Sequence, residues 1–296
     1  MLDEFRNAFN RPNNAHVQLI IVNIAVFLAL GVLYVFSRVL SFEPVFAIVH
    51  DQFSIPPKVG DFVMRPWTIV TYAFMHDLGS IFHILFNMLA LYWFGRLFVE
   101  YLGSDKLVAL YILGALAAGV CYLLVFNTIP FFKTQSGFAG MVGASGAINA
   151  VLVAAATLMP NYTFFLLFFG PVKIKYIAGF YIFFSFLGSV GPNAGGNVAH
   201  LGGALMGFIY IKQMQVGINW GGWITAIMDW MNALFKPRRT VKISYRKNET
   251  SEAKKNAGRN GISQQEIDAI LDKISVGGYE SLSKEEKEKL FKASKK

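Results

Sequence analysis

Several apolar runs in this chain come close to the roughly 20 residues needed to cross a bilayer, and nothing else in it restricts the fold as strongly. In hydrocarbon the backbone must satisfy its own hydrogen bonds, and a helix does so within one segment. Segment one covers 17–37, segment two 81–101, segment three 106–126 and segment four 143–159, where Pro160-Asn161 ends it. The run Phe164 to Phe169 is apolar but short and is broken by Gly170-Pro171, so it reads as an excursion along the interface. Segment five then falls at 174–190 and segment six at 197–213. The expectation is an all-α membrane protein, a bundle of six transmembrane helices. Composition agrees, with 54% hydrophobic residues and 28 Phe. The first run begins near His16 and is too long for the core of a signal peptide, so it reads as a retained helix.

Charge divides the chain and orients it. Residues 1–235 carry a formal +2, whereas residues 236–296 carry +7. Six spans put both termini on one side. Arg6, Arg11, Arg96, Lys106, Lys173, Lys175 and the basic tail share that side, and Arg38, Lys58, Arg65 and Lys133 fall on the other. The positive-inside rule places the first set, and both termini, in the cytoplasm. A basic segment beside a membrane domain is read as facing anionic lipid. No basic groove interleaved with aromatics is present, so nucleic acid is not an expected partner. Cys121 is the only cysteine, which excludes a disulfide within the chain.

Three regions are expected. Residues 1–235 form the membrane domain. It ends in an amphipathic helix over 219–235, whose Trp220, Trp223, Ile224, Ile227, Met228, Met231, Leu234 and Phe235 share a face suited to the interface plane. A seventh span there would strand the basic tail outside. Residues 236–262, rich in Lys, Arg, Asn and Ser, read as a basic flexible linker. Residues 263–296 read as a small helical module. Ile267, Ile270, Leu271 and Ile274 line one helix, Gly277-Gly278 breaks it, and Ser283 with Glu286 forms a capping box for a second. So short a module buries little core and is expected to dock on something. The loop 38–80 is long for a structureless connection and is expected partly in the interface.

Polar groups at membrane depth are costly and mark function. Ser145 opens segment four within Gly143-Ala144-Ser145-Gly146-Ala147, where free backbone N–H groups and the helix dipole converge. His200 lies near the start of segment six, one turn before Gly203 and Gly207, a Gly-x-x-x-Gly surface for close helix packing. Packing segment four on segment six along Gly143, Gly146, Gly203 and Gly207 would bring the hydroxyl to the imidazole, in the leaflet toward the outer face. A serine needs a base and its oxyanion needs donors. No acid lies in segments four or six, so a Ser-His dyad is inferred. His83 and Asn87, four apart on one face of segment two, are donors at matching depth. Taken singly, each feature has a plainer reading. A lone serine is usually a packing residue, Gly-x-x-x-Gly usually means simple packing, and a His–Asn pair could be a metal or proton site. Their convergence in one leaflet of one bundle favours catalysis, and that chemistry calls for no metal or cofactor.

Over residues 15–212 the chain resembles the rhomboid intramembrane serine proteases. The resemblance rests on Arg65-Pro66-Trp67, on Thr71-Tyr72-Ala73-Phe74-Met75-His76, on His83-x-x-x-Asn87, on the Gly143-Ala144-Ser145-Gly146 box and on Ala199-His200-x-x-Gly203-x-x-x-Gly207. It implies Ser145 as nucleophile and His200 as general base and acid. His83, Asn87 and the Ser145 amide are implied as oxyanion stabilisers, and single-span membrane proteins as substrates cut near the outer face. Segment five and the loop 188–197 resemble the family's substrate gate and cap. Some members carry a Tyr stacked on the base where this chain has Asn149. The tail resembles C-terminal extensions of some bacterial members, and the expected location is a bacterial inner membrane. The alternative is an inactive relative that binds membrane clients, a class that typically lacks the Ser or the His.

Overall fold

Among the described residues, three helices are long and apolar enough to cross a bilayer: α1 (Ala15–Val39), α5 (Ile81–Leu102) and α6 (Ser104–Thr128). The structure is a computed structural model, and it describes residue 11 and residues 13–134, 140–235 and 264–294. The chain divides into two compact units, residues 1–237 and 238–296.

In the first unit, α1 leads into short helical pieces, α2 (Glu43–Phe53), α3 (Val59–Met64), α4 (Thr68–Thr71) and a 3₁₀ turn at Tyr72–Phe74. The loop expected between segments one and two is therefore folded. Side chains hold it: Arg65 donates to the Asp51 carbonyl at 2.6 Å and pairs with its carboxylate at 2.9 Å. Trp67 Nε1 donates to the Gln52 carbonyl at 2.7 Å, and Thr71 Oγ1 to that of Phe53 at 2.9 Å. The end of this loop is tied to the bundle from the other direction, where Tyr111 donates to the Ala73 carbonyl at 2.7 Å and Tyr72 to that of Ala115 at 2.8 Å.

After α6 come α7 (Pro130–Lys133) and α8 (Ser145–Leu158). Every residue of α8 from Gly146 to Ala156 is buried. A helix that is apolar and covered on all sides is a central strut. Its 14 residues span only about 21 Å at 1.5 Å per residue, less than the roughly 30 Å of hydrocarbon.

The excursion after Pro160 is a two-stranded antiparallel hairpin, β1 (Thr163–Leu166) with β2 (Gly170–Lys173), pairing Phe164 with Val172 and Phe165 with Pro171. This is the departure from the all-α expectation among the described residues. Gly170 takes a left-handed φ of 68°, and Leu167, Phe168 and Phe169 project from the tip almost fully exposed. α9 (Ile174–Gly188) follows and buries only Ile174, Ala178 and Ser185. α10 (Ala194–Gln215) then packs on α8. In α11 (Gly222–Phe235) Ile224 is buried, while Trp223, Ile227, Trp230, Met231 and Leu234 keep an apolar face uncovered by protein.

The second unit holds α12 (Gln264–Gly277), a 3₁₀ turn at Tyr279–Ser281 and α13 (Lys284–Ser294). The capping box forms in both directions, the Ser283 N–H donating to Glu286 at 2.7 Å and the Glu286 N–H to Ser283 Oγ at 3.3 Å. Ion pairs join Lys273 to Glu286 and Lys289 to Glu266. The expected linker 236–262 lies outside the described residues.

Candidate active site

The site is built around the buried end of α8. Gly143, two residues before Ser145, has φ 136°, a conformation that L side chains rarely adopt. A side chain there would also meet His83, whose Nε2 lies 3.1 Å from the position its Cβ would take. The folded loop fixes this approach. Ile55 and Met141 exchange backbone hydrogen bonds of 3.1 and 2.9 Å, and the Gly143 N–H donates to the Tyr72 carbonyl at 3.0 Å. The Arg65-Pro66-Trp67 region thereby shapes the turn that presents Ser145.

α10 meets α8 backbone to backbone. A Cβ on Gly203 would run into the Gly146 carbonyl, and one on Gly207 into the Ala150 carbonyl. A Cβ on Gly146 would come within 2.6 Å of Ala118 on α6. The glycines spaced four apart on α10 thus face backbone positions spaced four apart on α8. This close approach puts His200 Nε2 2.7 Å from Ser145 Oγ.

His83 and Asn87 stand on α5 beside the pair. Together with Ser145, His200, Asn149, Tyr181 and flanking apolar residues they line a cavity of about 300 Å³. Asn87 is buried, and its Nδ2 donates to the His83 carbonyl at 2.8 Å. One amide hydrogen of Asn87 is committed to its own helix, which leaves the second for the cavity. His76, at the end of the folded loop, lies against His83 with ring centroids 5.2 Å apart. Burial first, and then the neighbouring His83, push the His76 imidazole down to about 4, so it is neutral at neutral pH. Asn149 is turned to its own helix, donating to the Ser145 carbonyl at 2.9 Å.

All four polar residues picked out by their spacing are brought to one cavity. A fifth was missed. Ser185 Oγ of α9 lies 3.1 Å from His200 Nδ1. Segments four and six hold no acid, and the polar group that meets the far side of the imidazole is a hydroxyl on segment five. The sequence offers no local pattern around it, only a serine set between Phe184 and Phe186.

Comparison with known proteins gives two family matches. The Rhomboid domain family matches residues 64–214. A second, described as a family of unknown function (DUF6576), matches residues 249–296. Among curated relatives, RHOMBOID-like protein 12, mitochondrial, of Arabidopsis thaliana is 35% identical over 164 residues, covering 52% of this chain and 48% of the relative. Rhomboid protein 1, mitochondrial, of Saccharomyces cerevisiae is 33% identical over 159 residues, 51% of this chain and 42% of the relative. Presenilin-associated rhomboid-like protein, mitochondrial, of Rattus norvegicus is 36% identical over 146 residues, 45% of this chain and 34% of the relative. The chain spans about half or less of the length of these relatives. Their shared mitochondrial designation overturns the expected bacterial inner membrane. The bacterial expectation rested on the likeness of the tail to extensions of bacterial members, and charge bias selects only a side of a membrane, not which membrane it is.

Proposed function

Since the chain belongs to the rhomboid family, we propose that it is an intramembrane serine endopeptidase that cleaves single-span membrane proteins with Ser145 and His200. The observation that carries this reading is the 2.7 Å hydrogen bond between Ser145 Oγ and His200 Nε2 at the interior end of a buried helix. In the proposed reaction His200 Nε2 takes the Ser145 proton as Oγ attacks the scissile carbonyl. The oxyanion is met by the His83 ring, the free Asn87 N–H and the Ser145 amide at the positive end of α8. His200 then gives the proton to the leaving amine, and water, activated by the same imidazole, releases the acyl group.

Six spans serve this function: α1, α5, α6, α8, α9 and α10, with α11 lying in the interface. The substrate enters between α5 and α9. A groove of about 480 Å³ lined by residues that include Phe86, Ala90, Trp93, Phe180 and Tyr181 supports that route. The names of the relatives support a mitochondrial membrane as the location. Residues 236–296 are proposed as a separate linker and module whose basic charge favours anionic lipid.

The test is reconstitution with a single-span substrate, comparing wild type with Ser145→Ala. Loss of cleavage by several orders of magnitude in a variant that still melts normally is expected. Wild-type turnover by Ser145→Ala would refute the assignment.

A further inference from the structure

We infer that Ser185 is the positioning residue for His200, an inference that rests on the proposed Ser145–His200 chemistry. The imidazole is held between two hydroxyls, with Nε2 2.7 Å from Ser145 Oγ and Nδ1 3.1 Å from Ser185 Oγ. For Nε2 to accept the Ser145 proton it must be bare, and a neutral imidazole then carries its hydrogen on Nδ1. That hydrogen has an acceptor in the Ser185 oxygen. The Ser185 hydroxyl, which can accept as well as donate, thus accommodates the tautomer in which His200 is a base and fixes the plane of the ring. When Nε2 takes the proton, both nitrogens become donors, Nδ1–H still pointing at the Ser185 lone pairs and Nε2–H at the reacting oxygens.

The surroundings fit a dedicated role. Ser185 is buried, although α9 leaves Phe180, Phe183, Phe184, Phe186 and Leu187 more than half exposed. Of the buried residues of α9, namely Ile174, Ala178 and Ser185, only Ser185 is polar. One turn earlier on the same helix, Tyr181 lines the cavity that holds Ser145 and His200. A single helix thus walls the substrate space and holds the far side of the base. Asn149, on the nucleophile's own helix, donates to the Ser145 carbonyl.

The experiment uses full-length protein in detergent, with two readouts. One is kcat and KM on a single-span substrate. The other is the rate at which a fluorophosphonate labels Ser145, which reports activation of the hydroxyl without substrate docking. A hydrogen bond of ordinary net strength corresponds to about tenfold. Ser185→Ala should lower kcat and the labelling rate by about that factor, with KM and the melting temperature unchanged. Ser185→Thr, which keeps the hydroxyl, should recover most of both rates. Wild-type labelling by Ser185→Ala would overturn the inference. So would a loss that accompanies lowered melting in Ser185→Ala, or a Ser185→Thr variant that melts normally yet stays slow. If Ser185→Thr itself melts low, the Ser185→Ala labelling rate decides. If wild type labels no faster than Ser145→Ala, the underlying reading fails, whatever Ser185 does.

Discussion

On the proposed mechanism, removing His200 would leave the Ser145 hydroxyl without a base, whereas removing Asn87 would take away one donor among several around the same cavity. His200→Ala should therefore fall to background. Asn87→Ala should retain measurable cleavage at the mild end of the roughly 10²–10³-fold cost of a lost oxyanion donor. Equal and complete loss in both variants, measured as kcat/KM on one substrate, would make Asn87 a structural residue. His76 gives a pH signature. Its imidazole titrates at about 4 in the fold against 6.5 as its ordinary value. The stability contributed by the neutral ring is thus present above about pH 6.5 and is lost as pH falls toward 4. Melting temperature in detergent should drop over that window, and His76→Gln should flatten the drop. An unchanged slope in the variant would remove His76 from the account. Ser145, His200, His83 and Asn87 could be read from the chain because each sits in a short local pattern on one helix. Ser185 could not. Its partner is fifteen residues away on another helix, and only the rotation of α9 decides whether it faces His200 or lipid.

Among the elements, the pair α8 and α10 carries the sharpest prediction. Gly207 has no room for a Cβ against the Ala150 carbonyl, so Gly207→Val must push the helices apart. Overpacking of this kind costs about 1–3 kcal/mol or more. Gly207→Val should melt lower than Ser145→Ala in the same detergent as well as losing activity. Identical melting curves would contradict the close-packing account. The long helices were legible because a run of about 20 apolar residues has one cheap solution in a bilayer. α1 and α6 extend two residues or so beyond the expected limits, as helix ends commonly do. The hairpin was not legible, because Phe164 to Phe169 shows no polar alternation to mark a strand. The helices between α1 and α5 were hidden for another reason. They are held by side-chain bonds to distant carbonyls, such as Trp67 to Gln52 and Thr71 to Phe53, which leave no periodicity in the sequence.

For the molecule as a whole, every residue assigned to the chemistry lies in the first unit, while the charge of +7 belongs to residues 236–296. Deleting residues 240–296 should leave cleavage in neutral detergent unchanged and alter behaviour only in anionic liposomes. A truncated protein that is folded but inactive in detergent would mean that the tail completes the active architecture. α1 and α6, at 25 residues each, reach about 37 Å and can tilt when the surrounding lipid thins or thickens. α8 is walled off from lipid by its neighbours and feels no such mismatch. The depth of the Ser145 hydroxyl is thereby set by the scaffold, so membranes of different thickness would meet the proposed chemistry at a different distance from their surface.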